Sequence, residues 1–141
     1  MDELLDLRLR PEIGAARKAR EALAPMTGHL GQGTRADLYL LVSELVASSV
    51  RRLGRMKADD IWLRVLARTD ALRVEVRDPG RILPPPTPRL QRSGWSILHD
   101  PGLAGDPGGW GLYVLHGVAS RWGITVDEGM EVWFELDLPD G

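Results

Sequence analysis

Residues 34–53, TRADLYLLVSELVASSVRRL, decide the fold. Leu38, Leu41, Val42, Leu45, Val46, Ser49, Val50 and Leu53 recur at steps of three and four, the mark of an amphipathic helix with a broad buried stripe. Thr34 followed by Asp37 reads as an N-terminal cap with an acidic residue in the first turn, and Gly54 reads as the stop. At about 1.5 Å per residue the helix runs roughly 30 Å, the span of a small domain. Glu44 and Ser48 are four apart and stack on one flank beside the stripe, with Arg51 and Arg52 just beyond. Two readings stand for that flank: a carboxylate and a hydroxyl lining a pocket at the core's edge, or an ordinary solvated surface.

After this helix a strand pair follows. Ile61, Leu63, Val65 and Ala67 alternate with Trp62, Arg64, Leu66 and Arg68; Thr69-Asp70 is a tight connection; Leu72, Val74 and Val76 then alternate with Arg73, Glu75 and Arg77. The period of two carries Asp78 onto the apolar face of its strand, where a carboxylate is costly unless hydrogen-bonded. From 79 to 109 seven prolines and repeated glycines argue against regular structure. A loop of that length is usually a lid or a binding loop, and Trp95, Ile97, Leu98 and Leu103 suggest that part of it packs down. A PxxP reading at 85–88, a ligand for an adaptor domain, is the alternative for that piece.

Order returns with a helix from near Trp110, on Leu112, Val114, Leu115, Val118 and Ala119. A strand then begins at Ile124, with a hairpin turn at 127–129. In the final strand Met130, Val132, Phe134, Leu136 and Leu138 face one way and Glu131, Trp133, Glu135 and Asp137 the other. Upstream of the central helix, Leu5, Leu7 and Leu9 form a short strand ended by Pro11, and 12–23 should be helical. The order strand, helix, helix, strand, strand, lid, helix, strand, strand implies an α/β (α+β) two-layer sandwich. Its sheet would be mixed or largely antiparallel, with helices on one face only. Trp62 and Trp133 fall on the opposite face, toward solvent or a partner.

The 141 residues are read as one domain, with the lid over about 79–109. A net charge of -2 gives no basic field for a phosphate backbone, so no direct nucleic-acid contact is expected. Without cysteine there are no disulfides or thiolate metal sites, which fits a cytoplasmic location. Neither a secretory leader nor a run of membrane-spanning length is present, so no membrane association is expected. His29, His99 and His116 have no metal-site spacing.

Asp78-Pro79-Gly80 after a strand is, alone, a common turn pattern. Gly108-Gly109-Trp110-Gly111 before a helix lets backbone approach a ligand, and free N–H groups at a helix start attract phosphate. It is neither a P-loop nor a dinucleotide fingerprint. Together, Glu44 on the long helix, the strand-end Asp78, the lid and the glycine-rich helix start would frame one cleft.

SELVASSV (43–50), VEVRDPG (74–80), GWGLYVLHGVASRWGI (109–124) and EVWFELDLP (131–139) resemble the GHKL-type ATPase domain. More specifically they resemble the short anti-sigma-factor serine/threonine kinases of bacterial partner-switching systems, of the actinobacterial type. The resemblance covers nearly the whole chain and implies the Bergerat-type ATP-binding fold, with ATP and Mg²⁺ as cofactors. By motif, it implies that Glu44 orients or deprotonates the attacking hydroxyl and that Asp78 accepts the adenine amino group. Gly80 would pass close to the base, and Gly109, Gly111 and Leu112 would meet the phosphates. The implied partner is a sigma factor or an anti-anti-sigma (STAS-type) protein, and family members are commonly homodimers.

This sequence also departs from the pattern. Ser48 stands where the family's Asn gives an oxygen to Mg²⁺, and a hydroxyl is the weaker ligand for a hard ion. Arg52 stands where His is common, Glu131 where Thr is common, and Trp110 between the lid glycines. Alternation turns Glu131 away from the cleft. The expected function is an ATP-binding anti-sigma-type regulator able to phosphorylate its partner. The alternative is a degenerate, non-catalytic relative acting as a protein-binding module.

Overall fold

The computed structural model describes residues 2–53, 60–79, 90–93, 109–126 and 129–139. Among the described residues six strands form one sheet: β1 (Asp2–Leu9), β2 (Ile61–Ala67), β3 (Ala71–Asp78), β4 (Leu90–Ser93), β5 (Arg121–Val126) and β6 (Met130–Asp137). They lie in the order β1-β2-β3-β6-β5-β4, and all five pairings are antiparallel. Three helices are described: α1 (Ala15–Leu23), α2 (Gln32–Leu53) and α3 (Gly109–Val118), with a single 3-10 turn at Ala24–Met26.

The alternation read from the sequence holds. Leu7, Leu63, Val76, Val132 and Ile124 stand opposite one another across five strands, as do Leu5, Val65, Val74, Phe134 and Trp122. These rows form the inner face and meet Leu38, Leu41, Val42, Leu45 and Val46 of α2 in one apolar core. Burying such side chains contributes about 1.5–3 kcal/mol each before chain entropy is counted. The helix layer follows the sheet: α1 touches β1, α2 crosses β3 and β6, and α3 packs beside α2 and over β5. This is the mixed-to-antiparallel sheet with a one-sided helix layer that the strand patterns imply.

Several local expectations are corrected. Helix α2 begins at Gln32 and has no acidic residue in its first turn. Gly31 offers its carbonyl to the Arg35 N–H at 3.0 Å, so Thr34 and Asp37 lie within the helix rather than capping it. Helix α1 starts at Ala15, after a bend over 11–14 that takes up Pro11 and Gly14. Strand β5 starts at Arg121, three residues before Ile124, because Arg121 and Trp122 pair with Glu135 and Phe134. The span 79–109 is not without regular structure: Leu90–Ser93 forms β4 on the sheet edge beside β5. The rest of the lid, and the Gly54 stop, lie outside the described residues.

The outer face carries no helix among the described residues. Arg64, Arg73 and Arg121 interleave with Glu75, Glu135 and Asp137 across β2, β3, β6 and β5. Arg73 lies 4.3 Å above the Trp133 ring, and Trp62 is flanked by Arg8 and Arg64 at 5.2 and 5.6 Å. Glu131 is on this side, as alternation implies, opposite Arg77 and Thr125.

Candidate functional site

Antiparallel geometry sets which ends of the elements meet. Strand β3 ends at Asp78, which stands opposite Met130, while Ala71 at its other end stands opposite Asp137. Helix α2 runs toward the Asp78 end, since Ser49 in its last turns bonds Asp78 while Thr34 in its first turn lies near Thr69 and Asp70 at the other end of β3. Helix α3 runs the other way, into Arg121 at the Asp137 end, so its N-terminus at Gly109 faces the Asp78 end. The C-terminal half of α2, the end of β3 and the start of α3 therefore share one pole.

At that pole the Ser49 hydroxyl donates to Asp78 Oδ2 at 2.7 Å, with both residues buried. This is how a carboxylate at the end of a core-facing row is tolerated: its charge is met by a donor from the covering helix. An ionised carboxylate only accepts hydrogen bonds, so any ligand group that meets Asp78 must be a donor.

Gly129 completes the wall. A Cβ built on it would lie 2.5 Å from the Asp78 carbonyl oxygen and 3.3 Å from the Pro79 Cα. Only glycine lets the β5–β6 turn close against the end of β3.

Glu44 and Ser48 occupy the flank of α2 away from α1. Their neighbour Ser43 faces α1, accepting a hydrogen bond from Arg20 Nη1 at 3.1 Å. Residues one and five positions further on are turned about 100–140° around the helix, toward the side on which α3 packs. Ser48 is 5% exposed and Glu44 is partly buried, so a fully solvated flank is excluded. The two side chains thus lie on the α3 side, with Ser48 one turn nearer the Asp78 pole. Gly109, Gly111 and Leu112 form the first turn of α3, whose opening N–H groups have no partner within the helix. Gly80 lies outside the described residues.

The sequence reading counted Ser49 in the apolar stripe and missed its role. The signal was there: a hydroxyl in an otherwise apolar stripe needs a partner, and Asp78 was a carboxylate on the core-facing row of a neighbouring strand that needs a donor. Among the described residues no group of three or more His, Cys, Asp and Glu is arranged to hold a metal ion. A concavity of about 550 Å³ lies at the far pole, lined by residues that include His29, Thr34, Thr69, Asp70 and Leu138. It is at the other end of α2 and β3 and takes no part in the arrangement around Asp78.

Residues 8–136 match the model of the histidine kinase-like ATPase domain. The match spans most of the sequence, and the chain belongs to that family of GHKL-type, ATP-binding domains, whose members generally bind ATP with Mg²⁺. Comparison with curated proteins gives no match that would narrow the assignment. No described helix is long and apolar enough to cross a membrane.

Proposed function

We propose that this protein is an anti-sigma-type regulator that holds adenosine triphosphate at the Asp78 pole and uses it to phosphorylate a serine or threonine of an anti-anti-sigma (STAS-type) partner. The observation that carries the nucleotide part is the buried Asp78 carboxylate, fixed by Ser49 at 2.7 Å at the pole toward which α3 directs its N-terminus. A carboxylate so fixed suits the exocyclic amine of adenine, which donates and cannot accept. The first turn of α3 suits the phosphates, since unpaired N–H groups and the helix dipole both favour negative charge.

The donors present fit the base better than the metal. Ser48 and Glu44 are the oxygen-bearing side chains on the α3 side of the C-terminal half of α2, and Mg²⁺ asks for near-octahedral oxygen ligands. Ser48 would hold Mg²⁺ directly or through water; when bound, the ion neutralises phosphate charge as the phosphoryl group moves. Glu44 would orient the partner's hydroxyl and take its proton. Location in the cytoplasm follows from this role.

Ser48 also favours a second reading, in which the chain binds a sigma factor or its antagonist without catalysis. Incubation with labelled ATP, Mg²⁺ and a cognate STAS-type partner separates the two. Transfer to the partner, raised in Ser48→Asn and lost in Glu44→Gln, supports the kinase. Absence of transfer in both wild type and Ser48→Asn leaves only the binding module.

A further inference from the structure

We infer that the row Arg8, Trp62 and Arg77 on the outer face of the sheet is a docking surface for an acidic helix of a protein partner. The three residues belong to β1, β2 and β3 and stand directly opposite one another, Arg8 against Trp62 and Trp62 against Arg77. They lie on the face away from the helices, at the end of the sheet where β3 reaches Asp78. Both arginines are exposed, and the tryptophan between them is partly so. With neighbouring strands about 4.8 Å apart, the two arginine positions are separated by roughly 10 Å.

Charge sets this row apart. The neighbouring arginines are matched within the sheet: Arg64 and Arg73 reach Glu75, and Arg68 and Arg121 reach Glu135. Among the described residues Arg8 and Arg77 reach no carboxylate at ion-pair distance. Asp6, the acid beside Arg8 on β1, accepts the Trp62 indole N–H. Glu131 stands opposite Arg77 on β6 but is partly buried and forms no ion pair with it. The Arg8 guanidinium lies 5.2 Å from the centre of the Trp62 ring, which holds that cation in place on the outer face. An indole between two guanidinium groups offers an apolar surface flanked by two charged hydrogen-bonding forks.

Charge complementarity and spacing select the occupant. Guanidinium forks suit carboxylates. On one face of an α-helix, residues seven apart are about 10.5 Å from each other, with the residue three or four on between them. A helix with acid, apolar and acid residues at that spacing sets one carboxylate on each arginine and the apolar side chain on Trp62. A nucleic-acid backbone fits poorly: its charge repeats without a break, and Asp6, Glu75 and Glu131 border the row. The chain carries a net charge of -2, so anions are drawn here by the local match and not by a general field. The inference uses neither Asp78 nor nucleotide, and stands apart from the function proposed above.

Exposed ion pairs are individually weak, so the test is an NMR titration of the isotope-labelled full chain. The probe is a synthetic helical peptide of about 18 residues, built on alanine and glutamine, with two glutamates seven apart and a leucine midway. The Trp62 indole and the Arg8 and Arg77 Nε–H signals should shift together and saturate. The same peptide with glutamine for both glutamates should barely move them. Arg8→Glu/Arg77→Glu should weaken binding about tenfold or more, and should instead take the peptide with lysines for glutamates. Arg17→Glu/Lys18→Glu makes the same change of net charge on exposed side chains of α1. At about 0.15 M salt it should leave affinity within about twofold, because distant charges are screened. No saturable shift in folded wild type, equal binding of the glutamine peptide, an equal loss in the α1 variant, or a reversed row that ignores the lysine peptide would each overturn the inference. Tighter binding of a single-stranded oligonucleotide through Arg8 and Arg77 would do so too, as would a wild-type dimer in sedimentation that Arg8→Glu/Arg77→Glu dissociates.

Discussion

Ser49 Oγ and Asp78 Oδ2 lie 2.7 Å apart, both buried, and tie the last turns of α2 to the end of β3. The bond links the long helix to the one strand whose apolar row ends in a charge. Hydrogen bonds to charged groups contribute about 1.5–3 kcal/mol, so Ser49→Ala should lower unfolding free energy by roughly that amount. Urea denaturation measures it. Ser49→Ala in an Asp78→Asn background should cost much less, because the two residues act as a pair.

Gly129→Ala should be destabilising out of proportion to its size. The added methyl meets backbone at Asp78, which cannot rotate aside, and overpacking of this kind costs about 1–3 kcal/mol. Nucleotide binding should weaken in the same variant while folded, because the strain falls on the residue proposed to hold the base. A melting temperature equal to wild type would contradict the close approach.

Two carboxylates on the outer face should give opposite pH signatures. Burial alone would raise the Glu135 carboxyl, but hydrogen bonds from Arg121 and Arg73 outweigh it and hold the group below the usual 4.5. A lowered native pKa stabilises the fold above pH 4.5, and that stability is lost as pH falls through the native value. Glu135→Gln should therefore destabilise at neutral pH, with the penalty shrinking on acidification.

Glu131 is the converse. Burial, and then the neighbouring charge of Glu75, push its carboxyl above 4.5. Ionisation opposes folding at neutral pH, and that opposition is relieved as pH falls toward and below 4.5. Glu131→Gln should be neutral or stabilising at pH 7 and lose its advantage in acid. Thermal melts of the two variants across pH 4–8 compare them directly, and slopes of the same sign would contradict the arrangement of the outer face.

Much of this was legible in the sequence because burial on one side imposes a period. The alternation of β2, β3 and β6 and the three-four spacing of α2 each report a single apolar face, and the structure places those faces together. That same alternation put Asp78 inward and Glu131 outward. What could not be read were contacts between elements. Nothing local links Ser49 to a residue 29 positions away, and nothing near Leu90 announces that β5 offers it an edge. The start of α2 was misjudged because the helix begins before Thr34: the Gly31 carbonyl already accepts the Arg35 N–H as the first helical bond. Ser48 was identified from the family pattern, and its burial shows that it is no surface residue.

The most direct measurement is isothermal titration of ATP into the wild-type chain and into Asp78→Asn, with and without Mg²⁺. The account predicts saturable heat for wild type in both conditions and a loss of about a hundredfold or more in affinity for Asp78→Asn, since a site built to pair with a donor rejects its mismatch. Equal affinity in the two proteins, or no heat from a folded wild type, would contradict the assignment of Asp78 as the residue that holds the base.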